Sequence, residues 1–266
     1  MEFLAAENPY SGLVDSIEVP PMKALVENST LLHSFSTRKK FADPEEVAVA
    51  EYTFFINETY LFELVGLQLL GEMTSRLGSY DAIPALAEQS IDEARHVAAY
   101  KRLLGRLPVS FSNKKPEDLH QAFVASGSVE ENAVTAFVVL ESLAMGMFSA
   151  RASAFSGTST ASLDRQILFE ESRHQDNGLQ ILTDLVFDGR MTCDEVMDAT
   201  RVATKNLGRL LSPAPLLQQF GIDGGHKEVS LFSSQGVVAR QKKVTQRCLV
   251  HALRKLRERT NWRAAA

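Results

Sequence analysis

Two short strings in this sequence have the residue types and spacing to hold metal: Asp92-Glu93-Ala94-Arg95-His96 and Glu170-Glu171-Ser172-Arg173-His174. Each is an acid followed by Glu-x-x-His. Residues i and i+3 share a helix face, so Glu93 and His96 can aim at one point, as can Glu171 and His174. A lone pair of this kind arises often by chance. Here one constant offset of 78 residues relates the two copies, the arginines included. The same offset carries Glu63, in Leu61-Phe62-Glu63-Leu64-Val65, onto Glu141, in Val139-Leu140-Glu141-Ser142-Leu143. In each half, 30 residues separate the lone Glu from the Glu of Glu-x-x-His. An antiparallel helix pair with a short turn brings such positions to a similar height.

The rival for the first position is Glu58, whose counterpart at that offset is Ala136. A shift of five residues moves it roughly 7 Å along a helix axis and onto another face. Glu51 is further off. The expected metal ligands are therefore Glu63, Glu93, His96, Glu141, Glu171 and His174. Four glutamates neutralise two divalent ions, and two imidazoles complete one donor set per ion. Oxygen ligands with imidazole suit iron, with manganese as the alternative. The lone acids sit among apolar residues, where a solvated face is not expected, and uncompensated buried charge is strongly unfavourable.

These ligands need helices to position them. Asp43-Pro44-Glu45-Glu46 reads as a helix start, with Asp43 as cap, proline at the first helical position and acids at the positive helix end. The helix then runs to about residue 77. A turn over 78–81 leads to a second helix, about 83–104. An amphipathic piece over 116–125 lies in the longer connection that follows. Ser128-Val129-Glu130-Glu131 is a capping box opening a third helix, to about 155. The turn 156–159 leads to a fourth, to about 187. Thr192-Cys193-Asp194-Glu195 caps a fifth, which Pro213 and Pro215 interrupt, and a basic helix covers about 229–259. Residues 1–43, with Pro20-Pro21, read as irregular. No stretch alternates with period two, so the chain is expected to be all-α. Two antiparallel pairs, about 44–104 and 128–187, joined by one long crossover match a ferritin-like four-helix bundle with N- and C-terminal additions, the C-terminal helices about 192–260. With no clear linker, residues 1–266 read as one domain.

Composition narrows the setting. The 266 residues are 45% hydrophobic and 23% charged, with a net charge of -5, which gives no whole-chain case for nucleic-acid binding. Cys193 and Cys248 form no metal or disulfide motif, and the N-terminus lacks the basic and apolar parts of a signal peptide, so a cytoplasmic protein is expected. Residues 133–150 carry one charge, Glu141. That carboxylate facing lipid would be costly, so this stretch reads as a buried bundle helix and no membrane span is expected.

Over residues 45–186 the pattern Glu…Glu-x-x-His…Glu…Glu-x-x-His resembles the ferritin-like di-iron carboxylate proteins. These include bacterial multicomponent monooxygenases, ribonucleotide reductase small subunits, arylamine N-oxygenases, aldehyde-deformylating oxygenase and rubrerythrins. The resemblance implies that Glu93 and Glu171 bridge two irons, with Glu63 and His96 completing one and Glu141 and His174 the other. Asp92 and Glu170 are similar to acids that cross to the opposite histidine, and Arg95 and Arg173 could pair with them. Tyr100, four residues after His96, matches the radical tyrosine of ribonucleotide reductase small subunits. A redox residue and a packed core tyrosine are both open readings, and its counterpart is Gly178. Arylamine N-oxygenases have a further histidine where this chain has Ile167.

The function expected is an oxygen-activating di-iron monooxygenase or oxidase, with O2 as co-substrate and an external electron donor. It would act on a small apolar or amphipathic organic substrate by hydroxylation, N-oxygenation or fatty-chain oxidation. The helices after His174 favour this, because a bare four-helix unit suffices for iron storage. The alternative is a ferritin- or rubrerythrin-like iron-binding or peroxide-reducing protein. Without a CxxC pair, the two-domain rubrerythrin build is disfavoured. A ribonucleotide reductase relative is disfavoured by the 48-residue gap from Glu93 to Glu141. A homodimer is one option for assembly. The stripe Met145, Met147, Phe148 and Phe155 reads as core or as the lining of a substrate cavity. His33, His120, His226 and His251 have no partner spacing and read as surface or packing residues. The basic stretch 240–263 reads as a solvated amphipathic helix or a contact for an acidic partner.

Overall fold

The structure is a computed structural model that describes residues 16–77, 81–107, 127–210 and 212–260, so the expected piece at 116–125 lies outside it. Every regular element among the described residues is helical. Two short helices, α1 (Met22–Asn28) and α2 (Thr30–Phe35), precede the long ones and correct the reading of this region as irregular. Pro21 stands just outside α1, where proline does no harm. Ser29 ends α1, and its hydroxyl accepts from the Leu32 amide to open α2.

Helix α3 (Pro44–Arg76) starts as expected, with the Asp43 carboxylate accepting from the Glu45 and Glu46 amides at 2.9 and 3.1 Å. It packs along α4 (Ile83–Leu104), which has proline in its first turn. Helix α5 (Val129–Ala154) opens on the capping box, in which Ser128 and Glu131 satisfy each other's backbone N–H groups. It then widens into a π-helical segment over Thr135–Leu140, immediately before Glu141. Thr158 caps α6 (Ser159–Phe187), which packs along α5.

Among the described residues, α5 is the one helix long and apolar enough to cross a membrane, and 89% of its apolar window is buried against the other helices. That burial explains why it is apolar on all sides. Cys193 and Cys248 are free thiols.

The C-terminal part adds α7 (Cys193–Leu210), α8 (Ala214–Gln219), α9 (His226–Phe232) and α10 (Gly236–Arg259). The single basic helix expected from about residue 229 is thus two helices. The polar turn Ser233-Ser234-Gln235 interrupts it, and the Ser234 hydroxyl donates to the Leu231 carbonyl at 2.8 Å. Helix α10 lies against α5 more closely than against any other element. Gly146 permits this: a Cβ there would stand 2.9 Å from the Gln241 carbonyl oxygen and 3.0 Å from the Thr245 amide nitrogen, closer than side chains tolerate. The added helices therefore clasp the very helix that carries Glu141.

Candidate metal centre

The six expected ligands come from four helices, Glu63 on α3, Glu93 and His96 on α4, Glu141 on α5, and Glu171 and His174 on α6. The structure brings all six together in the interior, none more than 5% exposed. Their donor atoms fall into two sets, each spanning no more than 4.8 Å: Glu63, Glu93, His96 and Glu171 in one, and Glu93, Glu141, Glu171 and His174 in the other. Glu93 and Glu171 belong to both sets, so each can offer one carboxylate oxygen to either side. His96 Nδ1 stands 3.2 Å from Glu63 Oε2, 3.4 Å from Glu93 Oε2 and 3.3 Å from Glu171 Oε1. His174 Nδ1 lies 3.3 Å from Glu93 Oε1 and 3.4 Å from Glu171 Oε2.

The rival acids are elsewhere. Glu51 is buried but spoken for: its carboxylate accepts from the Ser29 hydroxyl at 2.6 Å and from the Thr30 and Leu31 amides at 2.9 Å each. Glu58 lines a cavity on the flank of the helices.

The outer imidazole nitrogens are held crosswise. His96 Nε2 meets Glu170 Oε2 at 2.9 Å, and His174 Nε2 meets Asp92 Oδ2 at 3.1 Å. With the proton on Nε2, both Nδ1 atoms are left to face the carboxylates, an arrangement that fixes ring orientation at metal sites. Arg95 and Arg173 both contact Asp92, and Arg173 also reaches Glu88 at 2.8 Å. Burial raises the Glu170 carboxyl to about 7, against the pull of His174 and Arg173.

Protonation follows from burial and crowding. Burial, then the Glu93 charge, pushes the Glu63 carboxyl well above the usual range, and burial with Glu171 does the same to Glu141. Burial also opposes charge on Glu93 and Glu171, yet the close imidazoles outweigh it and hold Glu93 well below its ordinary value and Glu171 at about 2. Burial disfavours the imidazolium forms as well, but the surrounding carboxylates hold His96 well above its ordinary value and His174 at about 11. These directions favour protons on Glu63, Glu141 and both imidazoles and ionised Glu93 and Glu171, so divalent ions at this cluster would displace protons as they bind.

The donor set fits a pair of such ions on a direct observation. Glu141 Oε2, Glu171 Oε1 and His174 Nδ1 are buried and make no well-directed hydrogen bond, the last two having only the imidazole–carboxylate approaches of 3.3–3.4 Å, and buried polar atoms rarely stay so unless something else occupies them.

Three features escaped the sequence. Gln89 lies one turn before Glu93 and donates to Glu141 Oε1 at 2.6 Å, tying α4 to α5 across the site. Its counterpart by the 78-residue offset is Ile167, so the repeat itself hid it. The second is the π segment, a rarity that recurs at functional sites and that no residue in Thr-Ala-Phe-Val-Val-Leu announces.

The third is a buried polar knot beyond His96. Tyr100 donates its hydroxyl proton to Asp164 Oδ1 at 2.8 Å. Arg151 donates to both Asp164 oxygens at 2.6 and 3.0 Å, to the Tyr100 hydroxyl at 2.7 Å and to Thr59 at 2.5 Å. Its guanidinium stands 5.1 Å from the Tyr100 ring centre. A charged residue inside the apolar run around Arg151 was the available signal.

The expected apolar stripe divides between two faces. Met147 and Phe155 line the flank cavity with Leu143, whereas Phe148 stacks on Tyr100 with ring centres 6.1 Å apart. Met145 is buried but is not among the residues lining that cavity, so the stripe is part core and part cavity lining. Positions 143, 147 and 151 are spaced by one turn and form a different face from Glu141 and Met145.

No family model, curated protein or solved structure matches this chain. The class to which the chain can be assigned on its geometry is a helical bundle with a buried carboxylate–histidine cluster able to hold metal.

Proposed function

We propose that this protein is a ferritin-like di-iron carboxylate enzyme, a monooxygenase or oxidase that uses O2 and an external electron donor to oxidise a small organic substrate. The observation that carries this reading is the pair of overlapping donor sets sharing Glu93 and Glu171. Glu63 and His96 would complete one ion, and Glu141 and His174 the other. Two irons held there would supply the electrons and the electrophilic centre that O2 chemistry requires. Asp92 and Glu170 keep the imidazole N–H on Nε2, and the apolar residues around the ligands keep bulk water from the site.

Tyr100 is assigned a positioning role. A cation over its ring and a guanidinium N–H on its oxygen both oppose removal of an electron from the phenol, so its place in the buried knot accounts for it without redox chemistry. An enzyme rather than a storage protein is favoured by the cavity of about 390 Å³, which the helices outside the four ligand-bearing ones help to enclose. That volume falls within the range of about 300–1,000 Å³ found for small-molecule sites.

The test is anaerobic Fe(II) loading followed by O2, with Mössbauer spectroscopy and an iron count. The proposal expects about two irons per chain, antiferromagnetically coupled after oxidation, and no further uptake. Continued mineral growth beyond two irons would replace it with storage.

A further inference from the structure

The flank cavity is built like a binding site for an amphipathic molecule, and its two ends differ in a way that selects the head group. Its inner wall is apolar: Phe54, Leu143, Met147, Phe155, Leu207 and Phe232 are all buried. Thr59, in the wall and fully buried, precedes Glu63 by one turn of α3, so this part of the wall lies one helical turn from a candidate ligand.

Charged groups in the deep wall are already engaged. Arg151 is held by Asp164, Glu51 by a hydroxyl and two amides, and Glu58 has an interaction of its own. The lining residues that are exposed are Thr204 on α7 and Lys242 and Gln246 on α10, so the mouth opens between these two helices. Lys242 brings positive charge to that rim. The buried Thr245 hydroxyl, also in the wall, has no hydrogen-bond partner.

We infer that this cavity binds an anionic amphiphile, apolar body inward and carboxylate at the Lys242 rim. Burial of the apolar body supplies affinity, and the rim charge supplies orientation and preference. This rests on the proposed function only in making the bound molecule the substrate. Binding itself requires no metal, so the two can fail separately.

The experiment is equilibrium binding of decanoate, decanol and decylammonium, each below its micellar concentration, to the full chain with and without metal. Decanoate should bind tightest and decylammonium weakest. Lys242→Glu, an exposed change, should weaken decanoate by roughly threefold to tenfold and leave decanol unchanged. Thr204→Trp, at the exposed mouth, and Met147→Trp, in the wall, should each impair binding of all three. The exposed variant keeps the test informative if the buried one misfolds. Tighter binding of decylammonium, or decanoate affinity indifferent to Lys242→Glu and Thr204→Trp, would overturn the assignment. Decanoate binding by a chain that takes up no metal would leave this site standing and remove the oxygenase reading instead.

Discussion

The two halves of the carboxylate–histidine cluster have the same residue types and differ in almost everything around them. Beyond His96 lies the charged knot of Tyr100, Asp164, Arg151 and Thr59, sealed from solvent. Beyond His174 the equivalent position is Gly178, and the space is filled by Phe137 from the π segment, whose atoms a Cβ on residue 178 would meet at 2.1–2.4 Å. Asp92, behind His174, holds two arginines, whereas Glu170, behind His96, is raised to about 7 by burial. The six cluster positions keep the 78-residue spacing while the residues around them differ, so the two halves are inequivalent, and only the half with Thr59 has a knot residue that also lines the flank cavity.

The largest effect on the fold is expected in the charged half. Arg151→Met leaves Asp164 buried without its cation and should cost about 3–5 kcal/mol in chemical denaturation. The double variant Arg151→Met/Asp164→Leu should recover much of that loss, and if it does not, the knot is not the self-contained unit described. In the apolar half, Gly178→Ala drives a methyl into Phe137 and should cost about 1–3 kcal/mol. A neutral result would show that the close approach of α6 to the π segment is not structural. The smallest effect concerns the ligands' immediate neighbour. Gln89→Ile makes the first half like the second and should weaken metal binding by about tenfold, chiefly for the ion on the Glu141 side. Equal weakening of both ions would mean that Gln89 supports the bridge rather than Glu141.

How far the sequence could be read follows the same division. The gathering of the six residues into one cluster was legible because helix rise and a short turn convert equal sequence spacing into equal height, and the π segment lies before Glu141, outside the stretch that spacing uses. The helix starts at Asp43, Ser128 and Thr192 were legible because caps are local chemistry. The Arg151–Asp164 pair depends on how α5 folds back onto α6, and the break before α10 on a turn of ordinary polar residues. The face of α5 that lines the cavity is decided by where α10 lands, through Gly146, which periodicity along α5 alone does not specify.

The central claim is a single dinuclear site bridged by Glu93 and Glu171, and anaerobic Fe(II) titration calorimetry in two buffers of different ionisation enthalpy tests it most directly. Because Glu63, Glu141, His96 and His174 all hold their protons more tightly than free side chains do, metal must displace those protons, and affinity should rise with pH through the neutral range. The account predicts about two ions bound and about four protons released per chain, about one ion in Glu63→Ala, and none in Glu93→Ala/Glu171→Ala. One uncoupled ion in the unmodified chain, or two ions retained by the double variant, would contradict it.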